Sequence, residues 1–205
     1  CLATVSAGAI PRAETAVETP YIHSLSLSRR SGREVFLKLD LLQTSGSFKD
    51  RGIGHLCAHL KAQGATKLVS SSGGNAGNAV ASCGRVLGLG VSVIVPETTK
   101  PIMLRKIEAH GATVTVHGAN WNEADALARQ LVEADSEAEY VHPFDHELIW
   151  EGHSSLVDEI EQASAAADFP KPDAIVACVG GGGIRGAGGC EGGGHAAVVE
   201  PGPPT

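Results

Sequence analysis

Five short runs rich in Val and Ile, separated by longer stretches of helical periodicity, constrain the chain most. The runs are Val35–Leu39, Lys67–Ser70, Val91–Val95, Thr113–Val116 and Ala174–Val179. Helical patterns cover Asp50–Ala62, Gly77–Leu87, Ile102–His110, Asn122–Ala134 and His153–Ala166. A strand, a helix and a second strand in succession make a βαβ unit, and repeated units build a parallel sheet with helices on its faces. Val91–Val95 and Ala174–Val179 are almost wholly apolar, so both are expected to be strands buried on both faces. Asn120 or Asn122 is the expected cap of the helix that follows, with Glu123 and Asp125 in its first turn. The pattern is that of an α/β fold.

Composition removes several function classes. At 205 residues, 42% hydrophobic and 19% charged, the chain has the make-up of one sizeable globular domain or two small ones. A net charge of −7 with no basic stripe argues against nucleic-acid binding. The apolar runs are too short to span a membrane. The N-terminus has no basic stretch of a signal peptide, and the first residue is Cys1 rather than Met, as expected of a fragment or a processed chain. Five cysteines, an odd number with no CxxC, argue against a disulfide framework or structural zinc and for a reducing, cytoplasmic setting.

Three segments carry chemistry. In Ser45-Gly46-Ser47-Phe48-Lys49-Asp50-Arg51-Gly52 a lysine stands where small residues give way to a helix. The positive end of a helix dipole, with burial, favours the neutral amine that Schiff-base chemistry requires. Most lysines are simply solvated, but an aromatic and three small neighbours make that reading less secure here. Ser70-Ser71-Ser72-Gly73-Gly74-Asn75-Ala76-Gly77-Asn78 follows a strand and opens a helix. Its glycines allow close backbone approach, and the N–H groups of a helix start bind carboxylate or phosphate. A plain Ser/Gly turn is the alternative. It is neither a Walker loop nor part of a GxSxG elbow. Gly180-Gly181-Gly182-Gly183 directly follows the last strand, where open parallel sheets bind their ligands.

Other signals are weaker. Gly181, Gly183, Gly186 and Glu200 match a dinucleotide fingerprint by spacing, but that fingerprint needs a helix. Six glycines between Gly186 and Gly194 work against one, at about 1 kcal/mol each relative to Ala. His55 with His59, and His142 with His146, read as surface or hydrogen-bonded histidines rather than a metal site, and His153 reads as packing or a helix-start hydrogen bond.

Taken together, the three segments resemble the pyridoxal-phosphate enzymes of the tryptophan-synthase-β superfamily, fold type II, and within it the L-serine dehydratases (serine/threonine ammonia-lyases). Pro143-Phe144-Asp145-His146-Glu147-Leu148-Ile149-Trp150-Glu151-Gly152-His153 is similar to a further segment of that family, and the resemblance runs from about Thr19 to Gly183. It implies a three-layer parallel-sheet fold, with a small domain over 43–145 inserted in an incomplete large domain made of 1–42 and 146–205. It implies that Lys49 carries the cofactor pyridoxal 5'-phosphate and moves the α-proton, and that Phe48 packs on the pyridine ring. Ser72, Gly73, Asn75 and Ala76 would bind the substrate carboxylate, Asn75 would also reach the ring hydroxyl, and Gly180, Gly181, Gly182 and Gly183 would bind the phosphate. The implied reaction removes water from L-serine, and less readily L-threonine, giving pyruvate or 2-oxobutanoate and ammonia. A homodimer with a small amino-acid substrate, and with no metal, nucleic acid or membrane partner, is expected.

The chain departs from the family after Gly183. The family continues there with a helix, further strands and a residue that hydrogen-bonds the pyridine nitrogen. Here a glycine tail follows Ile184 and Arg185, with His195 to Glu200 faintly similar to the next strand. A truncated or frame-shifted product with weak cofactor binding and slow turnover is therefore expected. A threonine synthase, a serine racemase, a β-replacement enzyme and an inactive remnant stay open as alternatives.

Overall fold

The computed structural model describes residues 15–166, 169–178, 182–186 and 195–199. In chain order these form β1 (Tyr21–His23), α1 (Leu25–Ser31), β2 (Phe36–Lys38), a tight turn at Asp40–Leu42, α2 (Lys49–Ala62), β3 (Lys67–Ser70), α3 (Asn75–Leu87), β4 (Gly90–Val95), α4 (Pro101–Ala109), β5 (Thr113–Val116), α5 (Trp121–Ala134), β6 (Ala138–Tyr140), α6 (Glu147–Ala166), β7 (Ala174–Cys178), the single turn α7 (Gly183–Gly186) and β8 (His195–Val199).

Four strands form a wholly parallel sheet in the order β5-β4-β3-β6. Lys67 of β3 stands opposite Gly90 of β4 and Ala138 of β6. Side chains alternate across the pleat, so each strand feeds two layers. On one face Leu68 meets Val80, Cys83 and Leu87 of α3 and Ile53 and Leu56 of α2, while Val93 and Val95 meet Ile107 of α4. On the other face Val69 and Ile94 meet Ala124 and Ala128 of α5. This is the expected three-layer arrangement. Asn120 is the cap of α5: its side chain accepts from the Glu123 N–H at 3.2 Å, and the Glu123 carboxylate accepts from the Ala119 N–H at 2.9 Å.

Several expectations need correction. The segment at Val35–Leu39 does not join the parallel sheet, because β2 pairs antiparallel with β1 as a separate ribbon. The described part of the run at Ala174–Val179, which is Ala174–Cys178, is not buried on both faces. Among the described residues β7 pairs only with β8, and Val176 is 67% exposed. Apolar composition states what a strand can bury against, and neither face of β7 joins the three apolar clusters. β6 escaped notice because Ala138-Glu139-Tyr140 has no apolar run. α6 begins at Glu147, six residues ahead of the pattern. The helix after Gly183 lasts one turn, and residues 187–194 lie outside the described residues.

The helices α2 and α6 cross at van der Waals contact of their backbones. A methyl group added to Gly52 would stand 2.3 Å from the Ile149 carbonyl oxygen, and one added to Gly152 would stand 2.6 Å from that of Arg51. Only glycine permits this approach. Beside the crossing, the Arg51 guanidinium, 3% exposed, is gripped by two carboxylates. Its Nε and Nη2 donate to Asp40 at 2.8 and 2.9 Å, and Nη1 and Nη2 donate to Glu159 at 2.5 and 2.8 Å. Ser155 and Thr19 each accept a further bond from it at 3.1 Å. Lys38 pairs with Glu159 at 2.5 Å and also donates to the Thr19 carbonyl oxygen, so two cations balance two anions. Four separate chain segments, around Thr19, Lys38–Asp40, Arg51 and Ser155–Glu159, meet in this one cluster.

Removing the central cation leaves Asp40 without its ion-pair partner and Glu159 with Lys38 alone. Arg51→Met is therefore expected to cost about 3–5 kcal/mol of stability, read from urea unfolding. A loss below about 1 kcal/mol would show that the cluster does not clamp these segments together.

Candidate functional site

The site lies at the carboxyl ends of β3 and β6. Gly46 adopts a left-handed conformation, φ 84°, and turns the chain into α2. The Asp50 carboxylate accepts from the Ser45 N–H at 2.7 Å and fixes that turn. Lys49 is the first residue of α2, and its Nζ donates to the Pro143 carbonyl oxygen at 2.9 Å, 5.2 Å from the centre of the Phe48 ring. Burial pushes the amine below its ordinary value, and no carboxylate pairs with it among the described residues to hold the charge. The residue is thus half-buried, its pKa is lowered, and its amine is held by a backbone carbonyl.

The second segment opens α3 at Asn75. β3 ends at Ser70, whose hydroxyl donates to the Val141 carbonyl oxygen at 3.1 Å. The chain then folds back closely enough that a methyl at Gly77 would stand 1.8 Å from the Ser72 carbonyl oxygen, and one at Gly73 2.6 Å from Thr99 Oγ1. Ser72 Oγ accepts from the Gly74 N–H at 3.3 Å. Ala76 is buried, whereas Asn75 is exposed and its side chain makes no hydrogen bond among the described residues. The first-turn N–H groups of α3 have no intrahelical acceptor, which leaves an anion-binding end. The loop is tied to the lysine segment by Asn78 Nδ2, which donates to the Ser45 carbonyl oxygen at 2.9 Å. Behind it Asp125 accepts from Ser71 at 2.7 Å, from Arg129 at 2.8 Å and from the Tyr140 hydroxyl. Burial alone would raise Asp125, but those three bonds outweigh it and hold the carboxyl below its usual range.

The third segment meets the first through His153. This ring, 1% exposed, lies 4.9 Å from the Phe48 ring, and its Nδ1 accepts from the Gly52 N–H at 3.1 Å. Its Nε2 has no hydrogen-bond partner among the described residues. A methyl at Gly183 would stand 3.3 Å from the Phe144 carbonyl oxygen and 3.5 Å from His153 Nε2. Phe48, Lys49, Pro143, Phe144, His153 and Gly183 are therefore one neighbourhood. Gly182 has φ 85°, a backbone suited to glycine. Gly180 and Gly181 lie outside the described residues, as does the helix needed by the dinucleotide reading.

His153 is the residue that sequence reasoning undervalued. It does pack and accept a hydrogen bond, but it stands between the lysine and the glycine loop, which its sequence position does not signal. His142 Nδ1 accepts from the Asp145 N–H at 2.8 Å and His146 Nδ1 from the Leu148 N–H at 3.1 Å, so both are hydrogen-bonded as expected. Among the described residues no three His, Cys, Asp or Glu side chains group as metal ligands, and no helix is long and apolar enough to cross a membrane.

Burial, reinforced by Lys49 and Arg51 and opposed by Asp40, lowers His153 to about 3. The unfolded chain takes up this proton near the ordinary value of 6.5, and the folded one does not until about 3. Stability from this group is complete above the first value and falls as the pH drops toward the second. His110 and His142, also lowered by burial, act in the same direction. Asp40, Glu159 and Asp125, whose pKa values are depressed, lose their contribution only below the ordinary carboxylate range; Asp50, raised by burial, works the opposite way, and does so above its ordinary value. The melting temperature is expected to decline from about pH 6.5 to pH 5, with a shallower slope in His153→Gln. Identical slopes would contradict a neutral, buried His153.

The family model described as pyridoxal-phosphate dependent enzyme matches residues 13–190. A mouse protein, "L-serine dehydratase/L-threonine deaminase", is 46% identical over 168 residues, which are 82% of this chain and 50% of that protein. An "L-serine dehydratase" of Dictyostelium discoideum is 42% identical over 177 residues, 82% of this chain and 51% of its own length. The solved structure of a fungal L-serine ammonia-lyase from Rhizomucor miehei superposes with a TM-score of 0.76 at 36% identity, covering 84% of this chain and 54% of that one. The chain thus spans about half the length of the curated relatives it matches. The match runs through every segment that builds the site, from Lys49 to Gly183, and on that ground the chain belongs to the pyridoxal-phosphate-dependent enzyme family.

Proposed function

We propose that the chain carries the catalytic half-site of an L-serine dehydratase that also accepts L-threonine. The observation that carries this reading is Lys49, half-buried at the start of α2, with its amine lowered by desolvation and, among the described residues, hydrogen-bonded only to the Pro143 carbonyl oxygen. Identity of 46% to the mouse dehydratase/deaminase supports the substrate.

The residues present fit the cofactor. A desolvated lysine, an aromatic ring beside it, a helix start and a His153 donor unpaired among the described residues surround one neighbourhood. Bound there, pyridoxal phosphate supplies an electron sink that makes the α-proton of an amino acid acidic. Lys49 would hold the cofactor covalently and, once displaced by substrate, take the α-proton on Nζ. A neutral amine can do both, which is why its burial matters. Phe48 would pack against the pyridine ring. Ser72, Gly73, Asn75 and Ala76 would hold the substrate carboxylate with hydroxyl and backbone N–H donors. The Asn75 amide, which makes no hydrogen bond among the described residues, would also reach the ring hydroxyl. Gly180, Gly181, Gly182 and Gly183 would hold the phosphate. Loss of the β-hydroxyl as water then leads to pyruvate and ammonia.

In this reading residues 43–145 form the small domain, since the four-stranded sheet and α3 to α5 all fall within them. Residues 1–42 and 146–205 belong to a large domain. A cytoplasmic setting is supported by the free thiols of Cys57 and Cys83, both buried. A homodimer is supported by the family resemblance alone.

The test uses the full chain with pyridoxal phosphate. A visible absorbance band that borohydride fixes to Lys49 is expected, with pyruvate and ammonia formed in equal amounts from L-serine. Lys49→Ala is expected to lose the band and at least about a hundredfold in rate. Uptake of cofactor with D-serine as the product would point to a racemase instead. Absence of the band in the unaltered chain would contradict the proposal.

A further inference from the structure

We infer that His153 anchors the cofactor: its Nε2–H donates to the phosphate held at the glycine loop around Gly182 and Gly183. The inference rests on the reading above that this neighbourhood takes pyridoxal phosphate. Three observations lead to it. First, the tautomer is set by the protein. Nδ1 accepts from the Gly52 N–H at 3.1 Å, so in a neutral ring the proton sits on Nε2. Second, that donor is buried and has no partner among the described residues. Buried donors left unpaired are rare, and where one occurs a missing acceptor is a physical explanation. Third, the donor edge faces the loop. A methyl at Gly183 would stand 3.5 Å from both Nε2 and Cδ2, so this edge of the ring lies directly under the Gly183 backbone.

The ring has little freedom to turn away. Phe48 packs on it at 4.9 Å, and the Gly52 bond fixes one edge. The facing loop is pinned as well, because Trp150 Nε1 donates to the Phe144 carbonyl oxygen at 2.9 Å and that same oxygen borders Gly183. The charged groups that act on the ring are Lys49, Arg51 and Asp40, and burial, reinforced by the two cations, keeps it uncharged. A neutral donor with a fixed tautomer presents the same N–H across the physiological range. The role is that of a binding residue shared between two helices: α6 carries the donor, and α2 both orients it and carries Lys49.

The experiment compares equilibrium uptake of pyridoxal 5'-phosphate with that of pyridoxal, which lacks the phosphate, in the full chain. In His153→Phe the affinity for the phosphate ester is expected to fall roughly ten- to a hundredfold, while that for pyridoxal changes less than about threefold. His153→Gln, which can present an amide N–H at a similar reach, is expected to recover most of the loss. The phosphorus resonance of the bound ester is expected to shift in His153→Phe and to return in His153→Gln. His153→Leu gives the same comparison should the larger ring fail to fold. Equal weakening of both compounds would show a merely structural role and overturn the inference, as would no weakening of either. If the unaltered chain takes up neither compound at Lys49, the underlying reading fails and the inference with it.

Discussion

The double grip of Asp40 and Glu159 on Arg51 is the interaction on which the rest of the structure depends. Each carboxylate receives two bonds from one guanidinium, and Lys38, Thr19 and Ser155 complete the set. Arginine suits this place because its planar fork can bind two carboxylates at once, as the point charge of a lysine cannot. The charges balance locally, so a buried ionic cluster is tolerated. Burial works to raise Asp40 and Glu159, and their cationic partners nonetheless hold both below the usual carboxylate range. The cluster also determines where the chain's early residues go, since Thr19 and Lys38 bring the β1–β2 ribbon against α2 and α6.

Arg51 lies two residues from Lys49 on the same helix. What anchors one therefore positions the other. The crossing of α2 over α6 at Gly52 and Gly152 brings His153 under Phe48 and places the Pro143 carbonyl oxygen within reach of the lysine amine. That contact removes water from the amine without supplying a counter-charge. The same backbone approach supplies the Gly52 N–H that fixes the histidine tautomer. One packing decision, two glycines facing each other across a helix pair, thus keeps one functional imidazole neutral and brings a backbone carbonyl to the amine whose pKa burial lowers.

Much of this was legible in the residues. The parallel sheet followed from the Val and Ile runs, and the lysine and the glycine-opened helix start stand where their local pattern implies. The physical reason is that period, caps and glycine geometry are local properties. The rest depends on which segments meet. Nothing in Glu-Gly-His-Ser shows that His153 will face Gly183, because that requires the α2–α6 crossing. Nothing in Asp-Arg-Gly shows that Arg51 will find Asp40 and Glu159, which lie 11 and 108 residues away. β7 failed in the opposite direction: its apolar residues imply cover on both faces, but the cover is a property of neighbours, and Val176 stands exposed.

The central claim is that the fold desolvates Lys49 and so prepares its amine before any ligand arrives. Its most direct test is the pKa of the Lys49 amine in the unliganded chain, measured by competitive labelling across pH. The account predicts a value clearly below the ordinary 10.5, returning toward it in urea. A value at or above 10.5 in the folded chain would contradict it, because the amine would then be solvated or paired with an anion that the structure does not place there.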